Sequence, residues 1–282
     1  MKNTVRTLVF GGQVSLTIAD TTEMAREAIR RHRLQKTSAT VLCKALSAMT
    51  FMSACLKEKT GEISLTLQCD GAGGGAGVSG NGDLYLRGYI ENPDCGADCG
   101  ERACLGDNGA LTIVRDDGYN RPFVGTCALP QTGGVDEAFE EYFRISEQIP
   151  TFIKTKVSFS EENGECTFSG VAVLQPLPFA DEETVKEVRG FDLNVLLDEM
   201  REKTVEETAA DHFEKDEKVW ETREAVYKCN CSRAYLTQVL VSLGEEQFRN
   251  IVKEDGAVRV HCHYCNTDYV FTDEDADELF SK

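Results

Sequence analysis

Four cysteines near the end of this 282-residue chain constrain its fold more than any other feature. Cys229 and Cys231 form a Cys-x-Cys pair, and Cys262 and Cys265 form a Cys-x-x-Cys pair roughly thirty residues later. Two close cysteine pairs at such a separation are typical of a tetrahedral zinc site, and soft thiolates favour Zn²⁺ over harder metals. The surrounding segment, residues 227–282, is too small to rely on its own apolar core, so a bound metal would supply folding free energy.

The sequence leaves two alternative roles open for such a zinc site. For this spacing, a purely structural zinc ribbon is the more common outcome. The Cys229–Cys231 pair is tighter than the usual two-residue gap, however, and a disulfide across it would be strained and readily reduced. This detail favours a reversible redox role. His261 and His263 flank the second pair, but four cysteines already fill a tetrahedral site, so we expect surface or supporting roles for both histidines.

The cellular compartment determines how the other cysteines are best interpreted. The first twenty residues lack the apolar core and cleavage site of a signal peptide, and no apolar run is long enough to span a bilayer, so we expect a cytoplasmic protein. Thiols are kept reduced there, so metal ligation, redox chemistry and burial explain twelve cysteines better than a disulfide framework does. Four cysteines lie on apolar periodic segments and are predicted core residues: Cys43, Cys55, Cys69 and Cys127.

Three further cysteines, Cys95, Cys99 and Cys104, cluster in the segment NPDCGADCGERACLG. Their spacing fits no standard set of metal ligands well. We therefore interpret them as exposed loop thiols, with a second metal or redox site as the alternative.

Hydrophobic periodicity predicts an α+β fold in three parts. Residues 1–178 are predicted to form a large domain of strands and helices, because strand-like alternation is interrupted at irregular intervals by helical spacing. Residues 179–226 are predicted to form a charged helical connector, in which acidic residues outnumber basic ones by about two to one. Its thin apolar stripe makes it a candidate for low local stability. Residues 227–282 are predicted to form a small zinc-binding α+β module.

Three local predictions concern the first domain. Residues 7–18 are predicted to form one strand, and residues 38–57 a helix with one buried face. Gly75, Gly77 and Gly80 follow the order of a dinucleotide-binding fingerprint, but that motif opens a helix and the next residues are typical of a strand. We therefore predict a glycine-rich turn between strands at this point.

Charge and the cysteine pattern exclude several classes of function. The net charge of −18 repels phosphate backbones and anionic lipids, so no nucleic-acid or membrane partner is expected. The alternative to a binding protein is a zinc-dependent or thiol-disulfide enzyme. Such an enzyme needs an open metal position or a cysteine of low pKa at a helix N-terminus. Four filled thiolate positions and the turn location of Cys262 and Cys265 count against both, so we predict a protein that is not an enzyme.

The chain resembles the heat-shock protein 33 family of redox-regulated chaperones over essentially its whole length. The resemblance is most specific in the combination of a Cys-x-Cys and a Cys-x-x-Cys pair near the C-terminus. The segments that carry it are KCNCSR at 228–233, EDGAVRVHCHYC at 254–265, YVF at 269–271, GEISLTLQCDG at 61–71, EYFRISEQIPT at 141–151 and VLQPLP at 173–178.

The resemblance implies an ATP-independent holdase that binds unfolding and oxidatively damaged proteins and prevents their aggregation. In the reduced, inactive form, Cys229, Cys231, Cys262 and Cys265 would hold one Zn²⁺. Oxidation would release the zinc, form the disulfides Cys229–Cys231 and Cys262–Cys265, and unfold the zinc module and the connector. The activated chain would form a homodimer.

Four cysteines depart from the pattern of that family: Cys69, Cys95, Cys99 and Cys104. They offer additional disulfides under oxidation. The sequence therefore leaves open whether the sole redox switch is the group of four C-terminal cysteines, here called the quartet: Cys229, Cys231, Cys262 and Cys265.

Overall fold

The computed structural model describes residues 2–96, 99–213 and 221–280. The chain divides into two compact units, residues 1–228 (unit 1) and residues 229–282 (unit 2). Within these described ranges, no helix is both long and apolar enough to cross a bilayer. The mixed helices and sheets confirm the predicted α+β class, while the three-part division of the chain stays a prediction.

The strands of unit 1 make two sheets. In chain order they are β1 Thr4–Val9, β2 Val14–Asp20, β3 Glu62–Cys69, β4 Ala76–Asn81, β5 Tyr85–Ile90, β6 Gly109–Asp116, β7 Phe123–Ala128, β8 Phe152–Phe159, β9 Cys166–Pro176, β10 Glu221–Arg223 and β11 Val226–Tyr227. Sheet A has the order β10-β1-β2-β9-β8 and is antiparallel. Sheet B has the order β11-β5-β4-β3-β6-β7, and only its β11–β5 pair is parallel.

The helices of unit 1 lie between and outside these sheets. They are α1 Thr22–His32, α2 Lys36–Ala54, α3 Gly100–Leu105, α4 Val135–Tyr142 with a π-helical turn at Phe143–Glu147, α5 Glu182–Gly190, α6 Leu193–Glu199 and α7 Val205–His212. Helix α2 is buried on nearly every side, because it packs against strands of both sheets. The prediction of one buried face on this helix is therefore wrong.

Strand β9 shows how the layers of unit 1 are built. Val171 and Val173 point into the core that contains α2, whereas Ala172 and Leu174 point into a second core. Successive side chains of a strand face opposite sides of the sheet, so an apolar strand can serve two layers. Sheet A is consequently buried on both faces.

Helices α5, α6 and α7 form the outer layer on sheet A. Leu196 and Leu197 of α6 are fully buried in the same core as Leu16 and Ile18 of β2. The N-termini of all three helices are capped by side chains: Asp181, Asp192 and Thr204 accept hydrogen bonds from backbone N–H groups of the first turn. Such caps satisfy donors that a short helix cannot satisfy internally.

The last part of unit 1 follows the edges of both sheets. β10 pairs with β1 through residues 221–223, and β11 pairs with β5 through Val226 and Tyr227. Each of these short strands covers a sheet edge whose backbone groups would otherwise lack partners. The chain reaches Cys229 two residues after β11 ends.

Unit 2 contains three helices and one hairpin. Its elements are α8 Arg233–Leu243, α9 Glu245–Asp255, β12 Val258–Cys262, β13 Thr267–Phe271 and α10 Asp273–Phe280. Its core contains only five buried side chains among the described residues, Leu240, Phe248, Val258, Phe271 and Ala276. So small a core gives little stability by itself.

Of two further local predictions for unit 1, one is wrong and one is confirmed only in part. Residues 7–18 are not one strand, because the chain reverses between β1 and β2 with Phe10, Gly11 and Gly12 at positive φ. The glycine-rich segment does turn at residues 71–74, between β3 and β4, but Gly77 and Gly80 lie within β4 itself. Gly77 leaves room for the ring of Tyr89, since a Cβ there would lie 2.6 Å from it.

Candidate metal centre

The second cysteine pair lies on the hairpin of unit 2. Cys262 is the last residue of β12, and Cys265 lies in the turn before β13. The backbone N–H groups of Cys265 and Asn266 donate to the carbonyl of Cys262 at 3.3 and 2.8 Å. Asn266 has a φ of 53°, a conformation that asparagine tolerates better than most residues do. This tight turn aims both sulfur atoms at one point.

The first cysteine pair lies just before helix α8. Ser232 is the N-cap of this helix, and its hydroxyl accepts a hydrogen bond from the backbone N–H of Tyr235 at 3.1 Å. The cap fixes where the helix begins and therefore where Cys231 leaves the preceding extended segment. The Arg233 side chain donates to the carbonyl of Val270 at 2.8 Å, which ties the start of α8 to β13.

The structure brings all four predicted thiols together. The sulfur atoms of Cys229, Cys231, Cys262 and Cys265 lie within 4.8 Å of one another, and among the residues described no other set of three or more potential ligands meets this condition. Sγ of Cys229 lies 3.8 Å from Sγ of Cys262, and Sγ of Cys231 lies 3.1 Å from Sγ of Cys265. In a tetrahedral zinc site with Zn–S bonds of about 2.3 Å, neighbouring sulfurs are about 3.8 Å apart. The cluster therefore has the donor type, number and size to hold a metal ion.

Burial favours the neutral thiols of Cys262 and Cys265 when no cation is bound. Desolvation by burial is the main reason that the pKa values of Cys262 and Cys265 lie above the ordinary value for a thiol. A cation between the sulfurs reverses this preference, since thiolates are the form that binds metals. Metal binding here would therefore release protons.

Two polar side chains beside the cluster were not identified from the sequence. The Tyr269 hydroxyl lies 3.4 Å from Sγ of Cys231, and the Thr267 hydroxyl accepts from Sγ of Cys265 at 3.3 Å. The contact with Cys231 is the main reason that the Tyr269 pKa is raised. Both residues belong to β13, so their position depends on the register of the hairpin.

The two flanking histidines lie outside the cluster. His261 and His263 are exposed, and their rings are 5.0 Å apart. Nδ1 of His261 is 2.8 Å from a carboxylate oxygen of Asp268, its partner in the hairpin register. Neither histidine belongs to the group of potential ligands.

The other cysteines are distributed through unit 1. Cys43 and Cys127 are buried, while Cys55 and Cys69 are half-buried. The prediction of three exposed loop thiols is wrong for two of them, because Cys95 and Cys104 are buried and only Cys99 is exposed.

The known proteins that are similar to this chain point to a single family. A family described as Hsp33 protein matches residues 3–272. A 33 kDa chaperonin of Bacillus licheniformis is 31% identical over 98% of this chain and 97% of its own length. A 33 kDa chaperonin of Geobacillus strain WCH70 is 32% identical over 98% of this chain and 96% of its own. The solved structure of the 33 kDa chaperonin, a heat shock protein 33 homolog, from Thermotoga maritima has a TM-score of 0.82 and 26% identity, covering 99% of this chain and 98% of that one.

Proposed function

Because the chain belongs to the Hsp33 family, whose members are chaperones rather than enzymes, we propose that it is an ATP-independent holdase controlled by oxidation. It binds unfolding and oxidatively damaged proteins in the cytoplasm and keeps them from aggregating. The observation that carries the proposal is the four-thiol cluster in a unit with a very small core. Neither nucleic acid nor membrane is a partner, since a net charge of −18 repels both.

In the reduced state, Cys229, Cys231, Cys262 and Cys265 hold one Zn²⁺ as thiolates. A bound zinc ion supplies a four-way cross-link that contributes folding free energy to unit 2. The four thiolates fill a tetrahedral site, which leaves no open position for a substrate or a hydrolytic water. The zinc-dependent enzyme considered as an alternative therefore has no support in the arrangement of these side chains.

Oxidation converts the thiolates into disulfides that no longer bind the ion. Each disulfide forms when two thiols lose two protons and two electrons to one molecule of hydrogen peroxide, which becomes two molecules of water. The resemblance to the family supports the pairs Cys229–Cys231 and Cys262–Cys265. Unit 2 then loses its cross-link and unfolds, because five buried apolar side chains cannot offset the conformational entropy of the segment.

Unfolding of unit 2 reaches the outer layer of unit 1 along the chain itself. Cys229 follows β11 by two residues, and β11 and β10 are held by pairing over only two and three residues. Helices α5, α6 and α7 precede these strands and cover apolar side chains of sheet A, among them Leu16 and Ile18. Release of this layer exposes an apolar surface of the kind that binds unfolded chains, and the activated protein forms a homodimer.

Light scattering from a heat-unfolding client protein tests this function without nucleotide present. We expect peroxide-treated protein to suppress aggregation and reduced, zinc-loaded protein to leave it unchanged. A Cys99→Ser variant is the matched control, since it removes an exposed thiol outside the quartet and should switch normally. Equal suppression of aggregation by the reduced and oxidised forms would contradict redox control and would mean that the quartet is a purely structural zinc site.

A further inference from the structure

A second pair of thiols meets in unit 1, far along the chain from the quartet. Sγ of Cys95 lies 3.2 Å from Sγ of Cys104, and the two residues are only 3% and 1% exposed. Cys95 follows strand β5 by five residues, and Cys104 lies on helix α3. We propose that Cys95 and Cys104 are a second redox site, which forms a disulfide when the protein meets peroxide.

The backbone on the Cys104 side holds its sulfur in place. The N–H of Gly73 donates to the carbonyl of Cys104 at 2.9 Å, and the N–H of Asn92 donates to the carbonyl of Gly73 at 3.0 Å. Gly73 also leaves space for the thiol, since a Cβ at that position would lie 2.4 Å from Sγ of Cys104. The segment before Cys95 and the helix that carries Cys104 are thus both tied to the same glycine.

The backbone on the Cys95 side is anchored on helix α2. The carbonyl of Pro93 accepts from the N–H of Gln35 at 3.1 Å and from the hydroxyl of Ser38 at 2.5 Å. Because a disulfide bond is about 2.05 Å long, the two sulfurs must approach by only about 1 Å. We expect side-chain rotation and a small shift of the six-residue helix α3 to provide that movement.

The reaction consumes one molecule of hydrogen peroxide for each disulfide. One thiol loses its proton, and the thiolate attacks the peroxide to give a sulfenic acid and hydroxide, which takes up that proton as water. The second thiol then attacks the sulfenic sulfur, and the S–S bond forms with release of a second water. Burial raises the pKa of the Cys104 thiol, so its thiolate is a minor species at neutral pH. The reaction therefore needs sustained exposure to peroxide, and the pair stays reduced otherwise.

The same oxidant has opposite effects on the two thiol sites. In the proposed function, oxidation of the quartet removes a cross-link from unit 2. A Cys95–Cys104 disulfide adds a cross-link to unit 1, the part whose sheets must persist while it holds clients. This consequence rests on the proposed function, whereas the formation of the disulfide does not.

Peptide mapping of the full-length protein tests the pairing directly. Cleavage after Arg102 and before Asp94, Asp98 and Asp107 places the three cysteines in the separate fragments 94–97, 98–102 and 103–106. After peroxide treatment of the native protein, alkylation of the remaining thiols and this double digestion, we expect fragment 94–97 to be linked to fragment 103–106. Reduction should separate them.

Two variants test whether the link depends on Cys99 or on the quartet. Cys99→Ser removes the exposed neighbour, whose thiol donates to the carbonyl of Cys95 at 2.9 Å, and the link should persist without it. The double variant Cys262→Ser/Cys265→Ser disrupts the quartet, and the link should again persist, so that failure of the proposed function would leave this result intact. Alkylation of both Cys95 and Cys104 after prolonged peroxide treatment, or a link that involves Cys99 instead, would overturn the assignment.

Discussion

The cysteines of this chain owe their different chemistry to neighbours that lie within a few ångströms. In unit 2, four sulfurs converge on one point, whereas in unit 1 the sulfurs of the buried residues Cys95 and Cys104 lie 3.2 Å apart. A convergent tetrad suits a metal ion, and an isolated buried pair suits a disulfide. Oxidation is therefore predicted to remove the zinc cross-link of unit 2 and to add a disulfide cross-link to unit 1.

The ligand assignment predicts that Cys262→Ser/Cys265→Ser abolishes tight zinc retention. Two thiolates cannot satisfy a tetrahedral site, and serine hydroxyls are poor substitutes for them. Zinc per chain, measured by elemental analysis after gel filtration, should fall from one equivalent to nearly none. One equivalent in the variant would contradict the assignment, and Cys99→Ser should keep its zinc.

The contact between Tyr269 and Cys231 predicts a smaller effect on the same site. Tyr269→Phe removes a hydroxyl that lies 3.4 Å from the sulfur and keeps the ring. Loss of a hydrogen bond to a ligand typically weakens metal affinity by about tenfold or more. Competition with a chromogenic chelator measures the change. Tyr235→Phe, at a 55% exposed position of α8, is the matched control. Equal zinc affinities in the two variants would show that the Tyr269 hydroxyl does not support the metal site.

The sequence was sufficient to identify the quartet, because ligand spacing within each pair is a local property. It was not sufficient for Tyr269, whose contact with Cys231 depends on the register of β12 and β13. Nor did it identify the Cys95–Cys104 pair, since the burial of both thiols depends on how Gly73 packs against α3. Contacts set by tertiary packing leave little trace in residue spacing.

At the level of elements, the outer layer of helices on sheet A is the part most suited to release. The helices α5, α6 and α7 have only nine, seven and eight residues, so their stability depends on caps and on packing against the sheet. The sequence predicted a helical connector with a thin apolar stripe from its charge and spacing. It could not predict that the covered sheet is apolar on both faces, nor the reversal between β1 and β2, which depends on positive φ angles.

Weaker packing of α6 should make the chaperone active with less oxidation. Leu196→Ala removes a fully buried side chain, and such changes cost about 2–5 kcal/mol. We expect the reduced, zinc-loaded variant to suppress client aggregation in part. Val195→Ala, on the same helix at a 41% exposed position, is the control and should behave like the unsubstituted protein. No suppression by reduced Leu196→Ala would argue against this layer as the cover of the client-binding surface.

The side-chain caps of α5 and α6 predict that acid pH destabilises these two helices. Hydrogen bonds from the backbone N–H groups of Thr184 and Asn194 hold the pKa values of Asp181 and Asp192 below the usual range. A lowered folded-state pKa means stability that is present above the unfolded pKa of about 4 and is lost as pH falls through the folded value.

Asparagine keeps the accepting oxygen but does not titrate in this range. The double variant Asp181→Asn/Asp192→Asn should therefore lose less Tm between pH 6 and pH 3 than the unsubstituted protein does, as measured by circular dichroism. Glu183→Gln, an exposed change on α5, is the control. An identical loss of Tm in the double variant and in the control would show that these caps do not titrate as the hydrogen bonds predict.

At the level of the whole molecule, the two units differ in the size of the apolar core that stabilises each of them. The two sheets of unit 1 enclose α2 in one continuous core, whereas unit 2 depends on a handful of apolar residues and four sulfurs. The net charge of −18 keeps such a protein soluble when an apolar surface is exposed. Membership of the Hsp33 family and the resemblance noted from the sequence agree over nearly the full length.

Hydrogen exchange read by peptide mass spectrometry shows directly whether oxidation of the quartet uncovers sheet A. Reduced, zinc-loaded protein and peroxide-treated protein are compared at equal concentration. In the oxidised protein we expect residues 229–280 and residues 182–212 to lose protection together, while α2 and strands β3–β6 remain protected. Loss of protection confined to residues 229–280, with α5–α7 still protected on the sheet, would contradict it.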